Sequence, residues 1–528
     1  MKIVVQITSV ALKGEFSMVE AKPRMYFKSN CESTYIKNDY VKENTFKEFH
    51  TEAIPNFKDI KDMLPIPVWS GHQREIDCYY KAWEVAFGNL RNPKEDTGFV
   101  SPFIDTAFNG DLFMWDSSFI LMFGKYAAHI FDFQQTLDNM YSHQHNDGYI
   151  CRQLNEETGK EKFTRFDPAA TGPNIMPWAE WEYYLISKDK ERLARVFPCL
   201  LAYHKWLKDN HTWRDGSYWS SGWGCGMDDM KCRFPEGKSR ESVMFSNGRM
   251  VWADTTLQQI FSGKMLINMA KILGRDKEAL VLEIQAESEY LTEYVNTRLW
   301  DEEKSYYFDL WENNELNGAM SVGAYWALLA DVVPMSKMDK FVEHLDNEEE
   351  FKRPHRVPSV AATAYGYCPE GGYWNGSVWA PTNYMVLKGL EKQGYHKLAY
   401  EIAANNLDCV TKVFEETGTL YENYMPEHIA YSSPHGDFVG WTGLIPISVM
   451  IEYVFGITSD VPNNKIVWRI NRTEEHGVLQ YPFGRIGRVD LICRERNDKG
   501  ERPIVEVKSD IPLQVEIVWN DNHEFITA

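Results

Sequence analysis

No stretch of the 528-residue chain is long and apolar enough to cross a bilayer, so a membrane partner is not expected. Basic charge is also scarce: 56 Lys and Arg against 76 Asp and Glu leave a net charge of -20. Nucleic-acid phosphates call for a basic surface, and that partner class is excluded. Nine cysteines, scattered and odd in number, make no disulfide framework. Cys225 and Cys232 have six residues between them and no second pair at zinc spacing, so no metal is expected there. No other ligand cluster announces an ion such as calcium, and nothing points to a cofactor. The run MKIVVQITSVALKGEF is broken by Gln6 and Thr8 and shows no clear cleavage site, so it reads as a strand rather than a signal peptide. A reduced, cytoplasmic setting is therefore expected; a chain trimmed of an export signal, periplasmic or secreted, would look the same. A repeat of fixed period, the mark of a linear solenoid, is missing as well. Oligomeric state is not legible.

Aromatic residues are plentiful, with 18 Trp, 28 Tyr and 28 Phe. Most must serve a core, yet many sit in Gly-rich stretches away from helical spacing, which favours a ligand groove. Residues 1–70 mix short apolar runs with charges and prolines and read as an extended or β segment packing on the helical region. Residues 71–461 carry the helical period. Twelve segments are expected, at 72–89, 115–131, 132–142, 175–187, 189–210, 252–273, 276–298, 321–333, 335–346, 374–393, 395–416 and 440–456. Their links alternate. Short ones come after the segments ending near Phe131, Ser187, Leu273, Val333 and Gln393, with Gly274 and Gly394 at C-cap positions and Pro334 as a stop. Long, Gly- and aromatic-rich links precede the other six. Six helical hairpins with every long loop on one side describe a closed (α/α)6 toroid, mainly α. Residues 462–528 alternate apolar and polar positions (Ile466, Trp468, Ile470; Val489, Leu491, Cys493) and form a small antiparallel β domain.

The long loops hold the chemistry. Ser217–Arg233 reads SYWSSGWGCGMDDMKCR, packing Tyr218, Trp219 and Trp223 around Gly and Ser before two adjacent acids, Asp228 and Asp229. Flat aromatic walls beside fixed carboxylates suit a sugar ring, whose C–H faces stack on π-systems while its hydroxyls bond to acids. FNGDLFMWDSSF supplies Asp111, Trp115 and Asp116, the last either a sugar-binding carboxylate or a charge at a helix N-terminus. QHNDGYICRQ offers Asp147, Arg152 and Gln153, with Asp147 read as a turn residue. PEGGYWNGSVWAPTNY is the densest: Gly371 and Gly372 let the backbone pass close while Tyr373, Trp374, Asn375 and Trp379 frame a ring-sized pocket. GTLYENYMPEH places Glu422 between Tyr421 and Tyr424, and VGWTGL adds Trp441. The expected substrate is an oligosaccharide or small glycoside. Glycosidic cleavage needs one carboxylic acid at the leaving oxygen and a second carboxylate opposite, about 6.5–9.5 Å apart for inversion and about 5–5.5 Å for retention. Sequence spacing does not choose between them.

Together LFMWDSSF, SGWGCGMDD, GGYWNGSVWAPTNY, YENYMPEH and FVGWTGL resemble the inverting α-glycosidases built on an (α/α)6 barrel. That family includes processing α-glucosidase I and the mannosylglycerate hydrolases, with trehalase more distant. The resemblance covers about residues 100–456 and implies hydrolysis of an α-linked glucosyl- or mannosyl-type sugar. By position it implies Asp228 as general acid and Glu422 as general base. It also implies that Asp116, Trp115, Trp374 and Trp379 hold the first sugar. The family's acid loop commonly runs Gly-Met-Asp-Asn; here Asp229 replaces the Asn, and Arg233 comes one position late. A second acid raises its neighbour's proton affinity, which suits a general acid; the departure equally fits Asp229 as the catalytic acid, or a loop that serves another leaving group. A glycan-binding or inactive relative, and a phosphorylase or epimerase on the same toroid, are the competing functions.

Overall fold

The computed structural model describes residues 37–528 apart from 107, 108, 166, 434 and 439, so the expected strand near the start of the chain lies outside the described residues. The helical segments fall into two kinds. In α2 (Met114–Gly124) every residue is buried, and α4 (Met176–Ser187) is buried at ten of twelve positions. A helix apolar on all sides must be enclosed on all sides. By contrast α11 (His396–Thr417) buries Ala399, Ile402, Ala403, Asn406, Leu407, Cys409, Val410, Thr411 and Val413, one face built on spacings of three and four. Such a helix covers something and faces water. Across α1 (Gln73–Gly88), α3 (Asp138–Ser142), α5 (Lys190–Asn210), α6 (Ala253–Leu273), α7 (Ala279–Tyr294), α8 (Trp326–Leu329), α9 (Met335–Glu343) and α10 (Ala380–Lys392), the two kinds alternate along the chain, except that the short α3 is buried at four of its five residues.

The buried kind close on themselves. Contacts run from α2 to α4, α4 to α6, α6 to α8, α8 to α10, α10 to the turn Trp441–Leu444, and from that turn back to α2. This is the inner ring of an (α/α)6 toroid; α1, α3, α5, α7, α9 and α11 lie outside it. Each inner helix is entered from a long loop and left by a short link, so the inner helices run in one direction and the long loops gather at one rim.

Several inner helices are shorter than their apolar runs suggest. The segment expected at 115–131 ends as an α-helix at Gly124 and continues as the tighter turn Lys125–Ala127. The one expected at 321–333 is a 3-10 turn, Val322–Tyr325, followed by α8. The one expected at 374–393 starts only at Ala380: Gly372, Tyr373 and Gly376 have φ of +56°, +62° and +150°, which no helix accepts. Pro381, which lacks an N–H, marks the true first turn. The last inner helix, Ile445–Val454, is wound with π-type bonds.

After residue 456 the chain builds two four-stranded sheets. One pairs Ile66–Trp69, His476–Phe483, Gly487–Cys493 and Val505–Ser509 in that order, all antiparallel. The other orders Ile457–Asp460, Lys465–Arg469, Gln514–Trp519 and Asn522–Thr527, with one parallel pairing between its two central strands. Strand Ile66–Trp69 thus ties the chain ahead of α1 to the C-terminal sheet. Among the described residues no helix is long and apolar enough to cross a membrane.

Candidate active site

The acid loop is shaped by small residues. Ser221 caps the single turn Gly222–Cys225 by accepting the Gly224 N–H at 3.0 Å, and Gly226 then reverses the chain at φ +81°. A Cβ on Gly226 would lie 2.9 Å from the Trp115 ring, so only glycine lets the loop cross that indole and deliver Asp228 beside it. The next residues are fastened to another rim loop. Asp229 Oδ1 accepts the Trp374 N–H at 3.1 Å, the Asp229 carbonyl accepts from Asn375 Nδ2 at 3.1 Å, and Asn375 Oδ1 accepts the Lys231 N–H at 2.8 Å. These bonds span about 145 positions of sequence and fix Asp228 relative to the 373–375 turn.

Glu422 is fixed by extended backbone. Val378 and Tyr424 exchange both N–H···O bonds, at 2.9 and 3.1 Å, and the Ser432 N–H reaches the Asn423 carbonyl at 3.1 Å. From the start of the last inner segment, Trp441 Nε1 donates to the Glu422 carbonyl at 3.1 Å. The Glu422 side chain, 3% exposed, accepts from the Tyr373 hydroxyl at 3.3 Å and from Asn423 Nδ2 at 3.4 Å. It lines a cavity of about 550 Å³ with Tyr373, Arg240, Ser433 and His435.

The carboxylates act on one another. Burial is the main cause that lifts Asp228 to about 8; Arg152 opposes it, while Asp229, Asp116 and Glu422 add to it. Asp228 touches solvent yet lies deep among the loops, so burial dominates. Asp116, in the first turn of α2, is lifted to about 7, again mainly by burial and further by Glu422. Glu422 is also raised by burial, but Ser433, His435 and the Tyr373 hydroxyl favour its charged form. The rim therefore brings together Asp116, Asp228 and Glu422, which come from the first turn of α2 and from two loops far apart in sequence.

The other expected residues divide. Trp115 lies against the acid loop, and its Nε1 finds no acceptor among the described residues. Tyr373 faces the cavity. Trp374 and Trp379 do not form open walls: they stack on each other at 3.9 Å with their planes 1° apart, and both are buried. They make a floor beneath Tyr373, which meets Trp379 edge-on at 4.9 Å. Trp441 packs against Trp379 and Phe438 in that floor. Gln153 donates to Asp111 Oδ2 at 2.7 Å within the short pairing of Asp111–Phe113 with Gln153–Asn155, a supporting contact. Asp229 is committed to Trp374 and, at 3.2 Å, to the Arg240 guanidinium.

Arg152 is visible in its loop, but sequence reasoning gives it no role. Its guanidinium lies 4.9 Å from the Phe163 ring and 5.1 Å from that of Trp223, while its Nε donates to the Ala169 carbonyl at 2.8 Å. Trp223 thus helps to hold a cation that faces Asp228 and Asp116. The aromatic residues flanking that loop are the signal: an Arg between rings is a placed charge. Among the described residues, no three His, Cys, Asp or Glu side chains gather as metal ligands would.

A family model described as the mannosylglycerate hydrolase MGH1-like glycoside hydrolase domain matches residues 111–442, spanning α2 to the Trp441 turn and both acid-bearing loops. The chain belongs to this glycoside hydrolase family. An uncharacterized protein of Borreliella burgdorferi is 24% identical over 400 residues, 73% of this chain and 79% of that one. A mannosylglycerate hydrolase of Thermus thermophilus is 25% identical over 354 residues, 56% of this chain and 85% of its own. Among solved structures, a GH63 mannosylglycerate hydrolase from Thermus thermophilus in complex with glucose matches with a TM-score of 0.56 at 21% identity, over 70% of this chain and 99% of that one. The toroid and the membership in the MGH1-like family agree: this chain is a glycosyl hydrolase.

Proposed function

We propose that this hydrolase cleaves an α-linked glucosyl- or mannosyl-type sugar with inversion, Asp228 acting as general acid and Glu422 as general base. The observation that carries the reading is an unequal sharing of donors. Glu422 receives the Tyr373 hydroxyl and the Asn423 amide, which favour its anion. No hydrogen bond reaches the Asp228 carboxyl among the described residues, and burial keeps its proton on to about 8. Burial favours the protonated acid at Asp228 while the donors at Glu422 favour its anion, the division that acid–base cleavage needs. A water attacks the anomeric carbon and gives its proton to Glu422. The bond from that carbon to the leaving oxygen breaks, and Asp228 protonates the oxygen. Trp115, Asp116 and Tyr373 border the sugar, and Arg152 holds the acid side. Asp229, with its carboxylate engaged by Trp374 and Arg240, is the weaker candidate for the acid. Relatives named mannosylglycerate hydrolase and, in Saccharomyces cerevisiae, mannosyl-oligosaccharide glucosidase support a mannosyl or glucosyl substrate. The test is NMR of the first-formed anomer on a panel of α-linked disaccharides and mannosylglycerate. A β-anomer appearing first is expected; an α-anomer appearing first contradicts inversion.

A further inference from the structure

Beside the proposed acid, a surface segment reaches into the site with one cation. Residues 235–242 are exposed, and the short helix Arg240–Phe245 buries only Val243. From its first position Arg240 places Nε 3.2 Å from Asp229 Oδ2. Its side chain is 60% exposed, whereas that of Asp229 is 8% exposed. The guanidinium also lies over the Tyr373 ring at 5.8 Å and lines the Glu422 cavity. One side chain thus touches the neighbour of the acid and the phenol that bonds the base. An ion pair with so exposed a cation adds little to stability. Asp229 does not need a charge to hold the Trp374 N–H either, because an amide oxygen would accept that bond equally. The charge at 229 is met by Arg240 and, with less effect, by Lys231.

We propose that Arg240 is a positioning residue for the acid: by clasping Asp229 it seats the 235–248 flap on the acid loop and shields Asp228 from a second bare carboxylate. The inference rests on the reading of Asp228 as general acid. The groups acting on Asp228 are Arg152, Asp229, Asp116 and Glu422, with Tyr373 and Cys225 also within its influence. Of these, Asp229 is the one that Arg240 screens. Loss of Arg240 raises the proton affinity of Asp228 and moves the alkaline limb of activity to higher pH. Loss of the Asp229 charge moves it down. With no charge at 229, Arg240 has nothing to screen.

The experiment records kcat against pH for wild type, Arg240→Gln, Arg240→Lys, Asp229→Asn and the Asp229→Asn/Arg240→Gln double variant. Its probe is mannosylglycerate or whichever α-linked disaccharide of the panel wild type cleaves fastest. Arg240→Gln is expected to shift the alkaline limb up by about 0.5–1 pH unit. Arg240→Lys should restore it, and the double variant should match Asp229→Asn. A limb unmoved by Arg240→Gln, or still moved by it in the Asp229→Asn background, overturns the proposal. Hydrogen exchange of the Trp374 amide provides a reading without turnover: Arg240→Gln should speed it and Arg240→Lys should not, and equal protection in all three overturns the clasp. Wild type that cleaves no member of the panel, with exchange still responding, would sink the hydrolytic reading and leave the clasp standing.

Discussion

At the far end of the inner ring, Lys125 lies 3.0 Å from both Glu182 and Glu452, and Lys388 lies 3.3 and 3.5 Å from the same two acids. The hydroxyls of Tyr126 and Tyr384 donate to Glu452 at 2.8 and 2.9 Å. Two cations and two anions from α2, α4, α10 and the last inner helix, or the turn beside them, cancel. Burial alone would raise Glu182, but Lys388 and Lys125 hold it at about 2. About nine residues along α2, some 14 Å at 1.5 Å per residue, Asp116 begins the opposite end. There Asp116 and Asp228 share the facing guanidinium of Arg152 with Glu422 as a third carboxylate nearby, and Asp116 and Asp228 rise to about 7 and about 8. The same residue types in similar burial are neutralised where they plug the ring and left uncompensated where the proposed reaction moves protons. What distinguishes the quartet's acids from those proposed to act is their company, not their depth.

Breaking the rim should have the largest effect on turnover. Asp228→Asn and Glu422→Gln are each expected to lower kcat by about 100- to 10,000-fold with the fold intact, as circular dichroism and thermal unfolding would verify. Loss of less than tenfold in either variant removes that residue from the chemistry. Breaking the far end should act on stability instead. Lys125→Met leaves Glu182 and Glu452 with one cation between them and is expected to cost about 3–5 kcal/mol in denaturant unfolding. An unchanged midpoint would mean that the quartet is not a working unit of the fold.

The pH dependence sharpens the contrast. Asp228 must carry its proton to act, so kcat should fall as pH rises through about 8, and a limb set by an ordinary carboxylate would contradict the assignment. The smallest expected effect is on stability. A carboxyl whose folded proton affinity exceeds its unfolded one stabilises the fold fully below its unfolded pKa, and that contribution is lost as pH rises toward about 8. Asp228→Asn should therefore raise the melting temperature at pH 8–9, by a gain on the order of 1 kcal/mol, and much less at pH 4. An equal change at both pH values would show that the carboxyl is not the cause.

The ring was legible because it rests on periodicity and link length, which are local. Alternation of short and long links is a property of the chain itself, and Gly274 caps α6 at φ +72° as its position suggests. Element starts were less legible near aromatic loops: the helical segment expected from 374 begins only at Ala380, because the backbone at 372, 373 and 376 turns away from it. Trp374 and Trp379 also show where a motif misleads. A Gly- and Trp-rich loop announces close packing, and the path of the folded backbone decides whether the rings face a cavity or each other. The acids were legible as types, but the environments behind their proposed division of labour were not. They depend on Tyr373, Asn423, Ser433 and Arg152, contacts made across loops. The Asp229–Arg240 pairing is of the same kind, since a lone Arg in an exposed segment reads as solvation until its partner is seen.

The separate duties of the two acids can be read most directly by comparing leaving groups. Fluoride departs with little need of a proton donor, whereas a sugar or glycerate oxygen needs one. Asp228→Asn should keep turnover of the matching α-glycosyl fluoride within about tenfold of wild type while losing about 1,000-fold on the oxygen-linked substrate. Glu422→Gln should lose both. Equal losses on the two substrates in Asp228→Asn, or the fluoride-sparing pattern in Asp229→Asn instead, would contradict the account.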